Sequence, residues 1–123
     1  MTIEKGSKIL ILEDSSARIK IFKKILINCV LTLVDVVNDA VYIDKTLGPF
    51  DFYFLDHDLD HRIYVPSNEE NTGYQFAKYL AKERADAQVI LHTMNFYGAQ
   101  NMLSILPNAI YIPFTKLAND LTR

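Results

Sequence analysis

Apolar residues along the chain fall into two patterns. Short runs of β-rich, mostly apolar residues occupy Lys8–Glu13 (KILILE), Thr32–Val37, Phe50–Leu55, Gln88–His92 and Ile110–Ile112. Runs such as ILIL and VIL do not alternate as half-exposed strands would, so they predict strands buried on both faces. Between them the spacing turns helical. Ser15 or Ser16 caps a predicted helix reaching about Cys29, with Ile21, Phe22, Ile25, Leu26 and Cys29 on one face and Lys20, Lys23 and Lys24 opposite. Asp39–Leu47 predicts a second helix, ended by Gly48–Pro49. Thr72–Arg84 predicts a third, opening on a T-x-x-Q capping box (Thr72 to Gln75) and turning Phe76, Ala77, Leu80 and Ala81 inward. Tyr97–Leu106 is the fourth, and Phe114–Thr122 leaves room for only a stub of a fifth.

Five strands alternating with helices predict an α/β fold, a parallel sheet covered on both faces. In such sheets ligands bind beyond the carboxyl ends of the strands, where the strand order switches. At 123 residues the chain fits one domain, 1–123, with a sizeable core. The net charge of −2 and the lack of a basic stripe predict no duplex DNA partner and no membrane surface. The start, MTIEKGSK, lacks the apolar stretch of a secretory signal, and no run approaches the ~20 residues of a membrane helix. One cysteine, Cys29, forms no intramolecular disulfide and fits a reducing, cytoplasmic location, with a small core filler as its expected role.

Candidate chemistry gathers where the strands end. The first strand delivers Glu13 and Asp14, the third Asp56, His57 and Asp58, and the fourth His92, Thr93 and Asn95. Two like charges ~4 Å apart repel by about 4 kcal/mol at an effective dielectric near 20. That is a large share of the roughly 5–15 kcal/mol stabilising a small domain, so such a rim needs a proton, a basic side chain or a divalent cation. Oxygen ligands suit Mg²⁺ or Mn²⁺.

The acidic pair of ILEDSS, the aspartate ending FDFYFLD, the hydroxyl residue after VILH and the Pro-Phe of YIPFT resemble the response-regulator receiver domain. That resemblance covers nearly the whole chain from Lys8. It implies a doubly wound, flavodoxin-like or receiver-like fold with strand order 2-1-3-4-5 and, here, a truncated last helix. It also implies a metal held by Glu13 and Asp14, a phosphoacceptor at Asp56, a metal-facing backbone carbonyl at Asp58 and a switch hydroxyl at Thr93. Two positions depart from it: Ile112 stands where receivers carry a lysine, and Ala109 where they carry an aromatic ring.

The stretches LDHDL, TGYQFAKYL and VILHTMNFYGAQNM are similar to a divergent branch, the cyclic-phosphate processing receiver domains. This match adds His57, Asp58, His92 and Asn95 to Asp14 and Asp56 as candidate active-site residues. The expected catalytic set is then His57, His92, Asp56 and Asp58, with Asn95, Thr93 and Arg62 contacting substrate. Asp14 and Asp56 would share one Mg²⁺ or Mn²⁺, with Glu13 and Asp58 as further contacts. Beside their carboxylates, His57 and His92 would stay cationic and serve as general acids. The connection from His57 to Asn71 is long for a βα loop and carries His61, Arg62 and Tyr64, suited to gripping phosphate and stacking on a base. Gly73 reads as close helix packing, Gly98 as freedom for the fourth-strand loop, and Met94, Met102 and Tyr79 as core.

Three readings stay open. The chain is a metal-dependent phosphoesterase acting on a cyclic or other phosphoester, a stand-alone receiver phosphorylated on Asp56, or a catalytically silent module holding a phosphorylated ligand. The partner is a small phosphorylated ligand or nucleotide, with a protein partner left open.

Overall fold

The computed structural model describes residues 2–121. Five parallel strands, β1 (Lys8–Leu12), β2 (Val30–Val34), β3 (Phe52–Leu55), β4 (Val89–Leu91) and β5 (Ile110–Tyr111), lie in the order β2-β1-β3-β4-β5. Five helices follow them in turn: α1 (Ser16–Ile25), α2 (Val37–Leu47), α3 (Gly73–Glu83), α4 (Phe96–Ile105) and α5 (Phe114–Leu121). This is the doubly wound fold, in the strand order that was expected. At eight residues α5 is the shortest helix, and the expected end at Thr122 lies outside the described residues. None of the described helices is long and apolar enough to cross a membrane.

The unbroken apolar runs follow from a sheet covered on both sides. In β1, Leu10 and Leu12 join Tyr53, Leu55, Val89 and Leu91 under α2, α3 and α4, with Val37, Ala40, Phe76, Leu80 and Met102. Ile9 and Ile11 point the other way and meet Phe54, Ile90, Phe22, Leu26, Phe114 and Leu117 under α1 and α5. Successive side chains of a strand face opposite sides, so a central strand must be apolar at every position.

Several boundaries differ from expectation. Helix α1 stops at Ile25 and Cys29 lies in the turn before β2, half-buried and still packed against the core under α1. Ile21 is exposed, whereas Phe22 and Leu26 are buried against the sheet. Strand β2 starts at Val30 because it pairs residue for residue with β1, Lys8 with Val30 through Leu12 with Val34. Val37 then begins α2, its N–H donating to Asn71 Oδ1 at 3.0 Å.

The capping box at Thr72 is absent. Thr72 sits at the N-cap, but its hydroxyl donates to the carbonyls of Ser67 and Glu69, and Gln75 Nε2 also donates to Ser67 O. These side chains hold the preceding loop instead of the helix start. Met94 is exposed rather than core, whereas Met102 is buried.

One buried carboxylate had no sequence signal. Asp44 of α2 has no exposed surface and accepts hydrogen bonds from Tyr53 Oη, Tyr79 Oη (2.6 Å) and Arg84 Nε (3.0 Å). Burial, with Asp44 beside it, pushes the Tyr53 hydroxyl up to about 12. The cluster ties α2 and α3 to β3, and every polar atom named in it has a partner.

Candidate functional site

The register of the sheet builds the floor of the site. Leu12 pairs with Leu55 and Leu55 with Leu91, so the next residues, Glu13, Asp56 and His92, leave three adjacent strands together. Backbone bonds extend past the strands to fix them: Glu13 N–H to Val34 O (2.9 Å), Asp56 N–H to Leu12 O (3.0 Å) and His92 N–H to Leu55 O (3.0 Å). One ligand atom from each of Glu13, Asp56 and His92 lies within 4.8 Å of the others.

The two buried carboxylates sit in opposite electrostatic situations. Glu13 Oε1 meets His92 Nε2 at 2.8 Å, and Oε2 accepts the backbone N–H groups of Asp14 and Ser15. Burial alone would raise its pKa, but the hydrogen bond and charge of His92, the Ser15 N–H and Arg18 together hold it down at about 2. Asp56 is 5% exposed and accepts from His57 N–H at 2.8 Å. Burial, together with the neighbouring Glu13 charge, pushes it up to about 6 against the pull of His92 and Arg18.

Above this floor lies a cavity of about 350 Å³, lined by Glu13, Asp14, Arg18, Asp56 and Asp58, by the loop residues His61 to Tyr64, and by Thr93, Met94 and Asn95. The loop wall is held by carboxylates. Asp58 accepts from the N–H groups of Tyr64 (2.7 Å) and Val65 (3.2 Å), and Asp14 Oδ2 accepts from His61 N–H at 2.5 Å. Burial of Asp58 is outweighed by the hydrogen bonds it accepts from Asn95, His57, Tyr64 and Val65, so its pKa is lowered. Asp60, His61 and Tyr64 have φ of 61°, 56° and 52°. Left-handed backbone at a histidine and a tyrosine is strained, and such strain clusters at ligand clamps and active sites.

The histidines are not placed as the sequence led us to expect. His57 and His92 have no exposed surface and neither lines the cavity, so a direct proton transfer to a ligand there is not the arrangement found. His57 lies behind the loop, Nδ1 at 2.8 Å from Asp58 Oδ1 and Nε2 at 2.8 Å from Ser67 Oγ. His92 lies behind Glu13, edge-on to Phe22 and Phe114, and its Nδ1 is buried without a partner among the described residues. His61 is the histidine that reaches the cavity; its side chain is 80% exposed and Nδ1 is 3.6 Å from Asp14 Oδ2.

Gly98 explains how tightly His57 is packed. A Cβ there would fall 2.4 Å from His57 Cγ, so the glycine makes room for the imidazole rather than freeing a loop. At Gly73 a Cβ would fall 1.7 Å from the Asp56 carbonyl oxygen, and its N–H donates to His57 O at 2.9 Å. The expected close packing is real, and what it packs against is the end of β3.

Other expected residues divide likewise. Asp56, Asp14, Glu13 and Asp58 all line the cavity, but the close-spaced donor set contains His92 in place of Asp14 and Asp58, whose carboxylates hold the loop. Asn95 caps α4, Oδ1 accepting from Gly98 N–H (3.0 Å), and its Nδ2 donates to Asp58 Oδ1 (3.0 Å), which leaves little of the amide for a ligand. An asparagine just ahead of a helical run is a cap signal that could have been read. Thr93 Oγ1 accepts from Asn95 N–H at 3.0 Å. Arg62 lines the cavity and pairs with Glu69 at 3.3 Å in an exposed contact of little energetic weight.

Two contributors carried no assignment from the sequence. Ser67 is the partner of His57 Nε2, and Arg18 reaches the floor, its Nη1 3.6 Å from Asp56 Oδ2 and 3.7 Å from Glu13 Oε1. Arg18 was legible in principle: it lies midway between Asp14 and buried Phe22 at helical spacing of four, on the face turned to the sheet.

An open parallel sheet of this order, with acidic residues closing β1 and β3, is the architecture of receiver domains. The same architecture recurs in the Mn²⁺-bound form of the response regulator Rcp1 (TM-score 0.72, 16% identity, 94% of this chain and 89% of that one). It recurs in the BeF₃-activated DrrB receiver domain (0.69, 16%, 96% and 96%) and in a CheY-like receiver domain protein from Methanospirillum hungatei (0.70, 16%, 95% and 91%). Among curated proteins nothing matches the chain. The sequence profile of the Cyclic-phosphate processing Receiver domain matches residues 9–108, and the chain belongs to that family.

Proposed function

We propose that the domain binds the phosphate of a small phosphoester, such as a cyclic nucleotide, in the cavity over Asp56, beside a divalent cation, and hydrolyses it. The observation that carries this is the convergence of Glu13, Asp56 and His92 within 4.8 Å, with the two carboxylates lining an accessible cavity and His92 buried behind Glu13. Two carboxylates and an imidazole suit Mn²⁺; the carboxylates alone would also suit Mg²⁺. When bound, the cation would offset the carboxylate charge and polarise a phosphoryl oxygen.

The chain's own groups supply the rest. His92 orients Glu13, and His57, braced by Ser67, orients Asp58 and through it the loop backbone at Tyr64 and Val65. His57 is a positioning residue, whereas His92 both orients Glu13 and belongs to the candidate donor set. His61, exposed at the cavity mouth, is the group placed to give a proton to a leaving oxygen, and Arg62 and Tyr64 stand beside it for phosphate and base. The free thiol of Cys29 fits the reducing cytoplasm in which such ligands occur.

The test is a metal-supplemented activity screen over 2′,3′- and 3′,5′-cyclic nucleotides and terminal cyclic phosphates. Turnover that is lost in Asp56→Asn and falls about 10²-fold or more in His61→Ala supports the reading. Turnover unaffected by Asp56→Asn sinks it. The placement of Asp56 at the cavity floor also favours a second reading, phosphorylation on that residue. With Ile112 supplying no lysine, we expect no stable conformational shift with acetyl phosphate or beryllofluoride. A clear shift would restore that second reading.

A further inference from the structure

Four carboxylates, Glu13, Asp14, Asp56 and Asp58, line the cavity, and an anionic ligand can enter only if positive charge meets it there. The cavity's basic residues are not equivalent. His61 stands at the rim, and the Arg62 guanidinium is half exposed and paired with Glu69. Arg18 is the deep one. Its side chain is 28% exposed, and its guanidinium carbon lies 5.0 Å from the centroid of the Phe114 ring, a cation–π contact.

The Arg18 contacts are of an unusual kind. At 3.6 and 3.7 Å, Nη1 sits between Asp56 and Glu13 outside hydrogen-bonding distance, and among the described residues its guanidinium makes no hydrogen bond. A planar fork of five N–H donors is thus seated over the two carboxylates, ion-paired with them through Nη1 only. Phosphate oxygens are the acceptors such a fork matches best. Glu13 and Asp56 are also two of the three residues in the candidate cation-binding set, so Arg18 and a divalent ion bound there would draw on the same negative charge.

We propose that Arg18 is the phosphate-binding cation of the cavity, seated on Phe114, and that it shares Glu13 and Asp56 with the divalent cation. This rests on the phosphoester reading and assigns its principal anion contact to α1. The geometry gives two effects of opposite sign when Arg18 is removed. Phosphate loses a charge-assisted fork, and the cation loses a competitor.

Orthophosphate binding in the presence of Mg²⁺, and Mn²⁺ binding alone, would be titrated calorimetrically with wild type, Arg18→Gln and Arg18→Lys. Arg18→Gln should bind phosphate about tenfold or more weakly and Mn²⁺ more tightly than wild type. Arg18→Lys, which keeps the charge without the fork, should fall between for phosphate. If wild type binds phosphate and Arg18→Gln binds it equally well, Arg18 is not the phosphate contact, although the phosphoester reading stands. Should Arg18→Gln weaken both ligands together, the arginine merely holds the floor in shape and the shared-charge proposal is overturned. Absence of phosphate binding by wild type removes the proposal and the phosphoester reading together. If Arg18→Gln does not fold, Arg18→Lys decides: phosphate affinity equal to wild type excludes a role for the fork.

Discussion

Glu13 and Asp56 are neighbouring carboxylates, both nearly without solvent, and their surroundings divide them. Glu13 holds its proton less tightly folded than unfolded, about 2 against 4.5, so its stabilisation is present above pH 4.5 and lost as pH falls toward 2. Asp56 holds its proton more tightly folded, about 6 against 3.8, so the folded state loses stability as pH rises from 4 to 6. In metal-free protein, Asp56→Asn should therefore be more stable than wild type at pH 7, on the order of 1–2 kcal/mol, with the difference closing near pH 4. Glu13→Gln should be less stable at pH 7, and its deficit should shrink as the solution is acidified. Denaturant unfolding across pH reads both, and parallel pH profiles for the two variants would show that the partition is wrong. His92→Ala leaves Glu13 buried without its partner and opens a hole beside Phe22; a loss of roughly 3–5 kcal/mol in unfolding free energy is expected. A loss under 1 kcal/mol would mean that the pair is not buried as described.

Helices α3 and α4 approach the strand ends so closely that Gly73 and Gly98, in their first turns, admit no side chain. Gly98→Ala would press on the His57 ring, held on its other edges by Asp58 and Ser67, and should destabilise by about 1–3 kcal/mol. Gly73→Ala meets the Asp56 carbonyl, backbone that has no rotamer to escape into, and should destabilise more. Thermal unfolding of the two variants checks the ranking; a reversal would mean that the end of β3 is softer than its hydrogen bonds indicate. Element existence and order were readable because a doubly covered parallel sheet demands continuous apolar strands, as ILIL and VIL show. Boundaries were not, since pairing rather than propensity set them: β2 begins where β1 begins, and Thr72 and Gln75 were drawn into the loop.

Across the molecule, the sequence announced which residues gather at the strand ends but not which way each one turns. Strand-end position brought Glu13, Asp56 and His92 together, as the strand-helix alternation implied. Residue type could not tell that His57 would be spent on Ser67 and Asp58 while His61 faced the cavity, because that depends on the left-handed turns of the loop. Helical spacing puts Arg18 on the face turned to the sheet but does not say how far its side chain reaches over the strand ends. We propose that Glu13 and Asp56, with His92 buried behind them, form a cation-dependent phosphate site. Titration of Mn²⁺ followed by loss of the free ion's electron paramagnetic resonance signal tests it most directly. Wild type should show one saturable site per chain that Asp56→Asn abolishes; no saturable binding, or an Asp56→Asn variant that binds as wild type does, would contradict it.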